Sequence, residues 1–187
     1  VQNLINSKAD VDATDDDGFT PLIWAAQAGH ATCVKVLIDA NADLEAVDSD
    51  EYSALIWAAQ EGHTACAETL LEAKADINAV SDSGDGALMV AAYNGRTACI
   101  QKLIDANADI EIRNHEGSTA LIVAAQKGHT ACIRALLAAK ADGEVRNEKG
   151  TSALMAAAQG GHCDVVDLLV SHVIALNRRR PRDASFL

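Results

Sequence analysis

The sequence predicts an all-α solenoid of short helix-turn-helix-loop units, on three observations. Similar residues recur at an offset of 33 along most of the chain. Hydrophobic residues make up 49% but aromatics only 3%, so small aliphatic side chains must do the packing. Helix-start and helix-stop residues fall at fixed places within the period.

The period is read from its columns. Leu22, Leu55, Leu88, Leu121 and Leu154 share one, and an alanine pair follows each three residues later (Ala25-Ala26 in the first unit). Gly29, Gly62, Gly95, Gly128 and Gly161 form another, and Leu37, Leu70, Leu103, Leu136 and Leu169 a fourth. Ala42-Asp43, Ala75-Asp76, Ala108-Asp109 and Ala141-Asp142 close four units. The chain therefore divides into a half unit 1–14, units 15–47, 48–80, 81–113, 114–146 and 147–176, and a basic tail 177–187.

Each element has a local cause. Thr20-Pro21 reads as an N-cap followed by proline at the first helical position, predicting a helix over Pro21–Ala28. Gly29 ends it with a left-handed cap. A second helix is expected from Ala31 to Ala40, with Val34, Leu37 and Ile38 on one stripe, broken by Asn41, Lys74, Asn107 or Lys140 in successive units. The polar stretch Asp48–Asp50 reads as a reversing loop. No such unit buries a helix pair alone, so the core must form by stacking, with alanines letting neighbouring helices approach.

The run Asp17-Gly18-Phe19-Thr20-Pro21-Leu22, then Ala25-Ala26, Gly29-His30, Val36-Leu37-Ile38 and Ala42-Asp43-Leu44, resembles the ankyrin repeat family, from residue 1 to about 175. Two columns depart from that family's motif. Ile23, Ile56, Met89, Ile122 and Met155 stand where it usually has histidine, so its Thr–His hydrogen bond is not expected. Ala54, Ala87, Ala120 and Ala153 replace its proline.

Charge excludes some functions. The net charge of −12 argues against the whole chain binding nucleic acid or an anionic membrane. Residues 15–47 carry six acids and one base, whereas 114–146 carry three acids and four bases. Arg178, Arg179, Arg180 and Arg182 add to the basic end as a soluble helix end and tail. No apolar run reaches the roughly 18 residues of a membrane helix. The longest, Val165–Leu176, is broken by Asp167, Ser171 and His172. No signal-peptide pattern opens the chain, and Val1 suggests a processed protein or a piece of a longer one.

The ends differ. Val1, Leu4 and Ile5 match Val34, Leu37 and Ile38, so an apolar edge is expected there, covered by further repeats or a partner. Cys163–Leu176 is expected to continue as helix, with His172, Asn177 and the arginines forming a polar terminal face.

Catalytic chemistry finds little support. Cys33, Cys66, Cys99 and Cys132 recur at 33-residue intervals on the second-helix stripe. Stacked helices lie about 10 Å apart, beyond the about 7 Å Cα separation a disulfide allows, so all five cysteines should be reduced and these four buried. Cys163 lies off the column and is expected near the surface. His30, His63 and His129 precede a cysteine by three, but Arg96 replaces the histidine before Cys99, and a catalytic dyad is not repeated in every unit. Each histidine is expected to bond backbone in the adjoining turn. Asp15-Asp16-Asp17-Gly18 lacks the alternating acids of a calcium loop. No zinc-ligand spacing occurs, and no cofactor is expected.

The resemblance implies partner binding through loop tips and the exposed face of the first helices, and these columns vary between units. The candidate residues are Asp16, Asp17, Phe19 and Gln27; Asp50, Tyr52, Gln60 and Glu61; and Asp82, Asp85, Tyr93 and Asn94. Three of the chain's four Phe and Tyr residues fall here, beside acids, suggesting anchors for a partner protein with basic and apolar groups. A non-catalytic interaction module follows. The alternative is a structural subunit held in a larger assembly by the N-terminal edge and basic tail. No small-molecule substrate or nucleic acid is expected, and a reducing intracellular compartment, the cytoplasm first, fits the cysteines.

Overall fold

A computed structural model describes residues 10–179, with side chains described through residue 175. Val1, Leu4, Ile5, Arg180 and Arg182, on which the expectations for the two ends rest, lie outside the described residues. Among the described residues ten helices form five pairs: α1 Pro21–Gln27 and α2 Ala31–Asp39; α3 Ala54–Glu61 and α4 Thr64–Glu72; α5 Ala87–Tyr93 and α6 Thr97–Asp105; α7 Ala120–Lys127 and α8 Thr130–Ala138; α9 Ala153–Gln159 and α10 Cys163–Arg179. First helices pack on first helices and second helices on second helices, in two layers. The alanine pairs of the first four units lie buried in the first layer, whereas in the fifth Ala157 is buried and Ala158 exposed. Between units the chain turns through short hairpins, closed at the base by isolated antiparallel bridges such as Val47 to Ser53.

Caps set the helix ends. The hydroxyls of Thr20, Ser53 and Ser152 accept from the amides of Ile23, Ile56 and Met155 at 3.2, 3.4 and 3.4 Å. Gly86 has no side chain to offer, and the buried Thr119 hydroxyl has no hydrogen-bond partner. The second helices end at Asn41, Lys74, Asn107 and Lys140 in the left-handed conformation, φ 63, 75, 65 and 71°. The following alanine amide then bonds back to the leucine carbonyl five residues earlier, as Ala42 does to Leu37 at 3.1 Å. Val173 occupies this column in the fifth unit. A β-branched residue does not take the left-handed turn cheaply, so α10 runs on to Arg179, past the expected end at Leu176.

The histidine column corrects the expected bond within the adjoining turn. His129 Nε2 bonds the Tyr93 carbonyl and His162 Nε2 the Gln126 carbonyl, both at 3.0 Å and both in the preceding unit. Arg96 does the same work, its Nε donating to the Gln60 carbonyl at 2.9 Å. These side chains pass over the glycines that end the first helices. A methyl group added at Gly29, Gly62, Gly95 or Gly128 would lie 2.5–2.9 Å from His63, Arg96, His129 or His162. The glycine column therefore serves both the positive φ and the next unit's hook.

Other seams are also hydrogen-bonded. The amides of Asp43, Asp76, Asp109 and Asp142 donate to side chains of Asp12, Glu45, Asn78 and Glu111 in the preceding unit at 2.8–2.9 Å. Hairpins bond hairpins through Ser49 N to Asp17 O at 3.0 Å, and through His115 N to Ser83 O and Glu148 N to Glu116 O at 2.9 Å. The seam between the second and third hairpins is longer, with Asp82 N to Asp50 O at 3.3 Å. There Glu51 stands with φ 59° in a column otherwise filled by Gly18, Gly84, Gly117 and Gly150. A Cβ at Gly18 or Gly84 would meet the next hairpin's backbone at 3.0–3.2 Å, so the Cβ of Glu51 accounts for the wider seam.

All five cysteines are free, Cys66, Cys99 and Cys132 are buried, and Cys163 is exposed. Cys33 is only half-buried, contrary to expectation. The 3.2 Å contact of Cys132 Sγ with Thr97 Oγ1 shows that the column faces the preceding unit.

Candidate functional site

The hairpins are shaped by the first residue of each unit, Asp15, Asp48, Ser81, Asn114 or Asn147. Oδ1 of Asp48 accepts from the amides of Asp50 and Tyr52 at 3.0 and 2.9 Å. Asp15, Asn114 and Asn147 make the same pair of bonds in their own units. Ser81 makes one, to the Asp85 amide. Asp15 and Asp48 thus serve as turn acceptors. Asp48 is 5% exposed and does not belong to the solvated acidic rim that its place at the tip suggests.

The second carboxylate oxygen adds a longer contact. Asp15 Oδ2 accepts from Trp24 Nε1 at 2.8 Å, and Asp48 Oδ2 from Trp57 Nε1 at 2.7 Å. The Trp24 bond, ahead of the two turn amides, holds the Asp15 carboxyl below its usual value. With asparagine at this position the extra atom is a donor instead, so Asn114 Nδ2 reaches Asp85 Oδ1 and Asn147 Nδ2 reaches Ser118 Oγ in the preceding hairpin.

The tethered indoles gather the candidate aromatics. Phe19 lies 4.6 Å from Trp24 and 5.5 Å from Trp57, and Tyr52 lies 5.4 Å from Trp57, centroid to centroid. Trp24 remains 51% exposed. Trp24 and Trp57 are not among the candidates read from the sequence, and Val90, Val123 and Ala156 fill their column in the other units. The internal signal for them was the pairing of aspartate with tryptophan nine residues on, in the two units that have either.

The other candidates fall around this quartet. Asp16, Asp17, Asp50 and Asp82 are exposed on hairpin tips, and Gln27, Gln60, Glu61 and Asn94 are half-buried at first-helix ends. Burial, then the carboxylates of Asp85, Asp50, Asp82 and Asp48, push the Tyr52 phenol above its usual value, so the surrounding field is negative. Tyr93 stands apart, 48% exposed, with Lys127 Nζ 4.1 Å from its ring centroid. Where valine replaces tryptophan, at Val90 and Val123, the face opens into a groove of about 660 Å³ that also touches Tyr52, Asp85 and Tyr93.

Among the described residues no group of three or more His, Cys, Asp or Glu side chains is placed to hold a metal. The histidine–cysteine spacing resolves into separate contacts, His129 with the Tyr93 carbonyl and Cys132 with Thr97. A family model described as ankyrin repeats (three copies) matches residues 1–81 and 88–180. The chain belongs to the ankyrin repeat family. Ankyrin repeats are generally non-enzymatic protein-protein interaction modules. A search of curated proteins finds no match. No helix among the described residues of this ankyrin repeat chain is long and apolar enough to cross a membrane.

Proposed function

We propose that the chain binds a partner protein carrying basic and apolar groups, through the hairpin-and-first-helix face of its first three units. The observation that carries this is the Phe19–Trp24–Tyr52–Trp57 quartet, partly exposed and rimmed by tip carboxylates. Half-exposed aromatics are costly to leave in water, and their hydrogen-bonded indoles are already oriented, so little side-chain entropy is lost on docking. The rim acids Asp16, Asp17, Asp50 and Asp82 supply long-range attraction for a basic surface. The five free thiols suit a reducing compartment.

The test begins with a partner captured from the native source and identified by mass spectrometry, followed by binding kinetics. Neutralising Asp16, Asp17 and Asp50 together should slow association and flatten its salt dependence. Phe19→Ala or Tyr52→Ala should speed dissociation, costing about 1–3 kcal/mol. Greater losses from Lys35→Ala or Glu68→Ala, on the second-helix side, would overturn the assignment of the face.

A further inference from the structure

Resting on that face, we infer that the groove beside Val90 and Val123 takes an arginine side chain presented by an extended segment of the partner. The groove exists because the column that holds Trp24 and Trp57 changes to Val90 and Val123, and its volume of about 660 Å³ lies within the roughly 300–1,000 Å³ of ligand clefts. Its apolar floor suits an aliphatic stem, and its charged lining is Asp85 and Glu116, with no lysine or arginine among the lining residues. Glu116 already pairs with Lys149 at 3.0 Å, which leaves Asp85 to meet an incoming cation.

Asp85 is prepared for that contact. Asn114 Nδ2 donates to its Oδ1 at 2.9 Å and Ser83 Oγ to its Oδ2 at 3.0 Å, fixing the carboxylate plane. A carboxylate has about four acceptor positions, so each oxygen keeps one for a forked donor. Tyr52 adds a ring on the same groove. A guanidinium matches both, bonding the carboxylate in parallel and stacking on the ring, whereas an ammonium does only the first, at one point. The Tyr93 ring already carries the Lys127 ammonium, so the incoming cation is directed to Tyr52 and Asp85.

The probes are pools of fluorescent peptides, randomised except for a central arginine, lysine, citrulline or glutamate, titrated by anisotropy against the full chain. Citrulline keeps the shape of arginine without its charge. The arginine pool should bind best, and Asp85→Asn should weaken it roughly tenfold to a hundredfold, the worth of a charged hydrogen bond. Ser81→Asp combined with Val90→Trp, copying Asp48 and Trp57, should fill the groove and abolish binding with the circular dichroism spectrum unchanged. If that pair fails to fold, the near-isosteric Asp85→Asn decides alone. Equal binding of arginine and citrulline pools, no binding of any pool at millimolar peptide, or full retention by both variants overturns the groove. The wider face is judged separately. Loss of the captured partner on Phe19→Ala, with none on Asp85→Asn, would keep the face and reject the groove, whereas indifference to both would reject both.

Discussion

Replacing Asp48 by asparagine should release Trp57 while leaving the hairpin intact. The Asn114 side chain shows why the hairpin survives, since its Oδ1 accepts from the amides of Glu116 and Ser118 at 3.1 and 3.0 Å. The other atom changes from acceptor to donor and would face Trp57 Nε1, now 2.7 Å from Asp48 Oδ2. A hydrogen bond to a charged group is worth about 1.5–3 kcal/mol. Asp48 is 5% exposed and weakly screened, but the half-buried indole regains some water, so the expected cost is about 2 kcal/mol. Trp57→Val should cost about 2–3 kcal/mol through lost packing on Phe19 and Tyr52. In the double variant no indole remains to be orphaned, so its cost should nearly equal that of Trp57→Val alone, a coupling of about 2 kcal/mol. The chain already tolerates that combination at Asn114 and Val123. Urea unfolding of the four proteins, followed by far-ultraviolet circular dichroism, measures the cycle. Costs that add to within about 0.5 kcal/mol would refute the tether.

Three further outcomes are expected. Burial pushes the Cys99 thiol up to about 11 and raises Cys66 and Cys132, so a thiol reagent at neutral pH should label Cys163 first, Cys33 more slowly and the other three only on unfolding; prompt labelling of three or more would contradict the packing. Glu51→Gly should stabilise the chain by about 0.5–1 kcal/mol in urea midpoints by relieving the left-handed backbone, whereas Glu51→Ala, which keeps the Cβ, should not; equal gains would trace the effect to charge instead. Asp15 is held below its ordinary 3.8, so its bond to Trp24 stabilises the fold fully above the ordinary carboxylate range and is lost as pH falls through the lowered value. In a Trp57→Phe background, Trp24 emission should therefore titrate with a midpoint below 3.8, and a midpoint at or above it would sever the bond from the shift.

What was legible in the sequence is local or periodic. Thr20 announces its helix because a cap bonds three residues ahead, and Val34 and Leu37 mark the core stripe because helical spacing returns them to one face. The histidine bond was misplaced because its acceptor lies 36 residues back. Arg96 was the available clue, since histidine and arginine share a long side chain that donates, and little else. Asp48 read only as part of a reversing loop because its partner at Trp57 is nine residues away, matching neither helix nor strand spacing. The groove was invisible for a similar reason. It arises from a difference in bulk between units in one column, Trp24 and Trp57 against Val90 and Val123, and a repeat alignment emphasises sameness.

The backward hooks of Arg96, His129 and His162 also order events in time. A ribosome delivers the chain N-terminus first, so the carbonyls of Gln60, Tyr93 and Gln126 wait for the following unit before they are sealed. Maturation during synthesis should lag emergence by one unit, each newcomer locking its predecessor. The fifth unit receives no such lock among the described residues, and nothing lies within 4 Å of where a Gly161 side chain would stand.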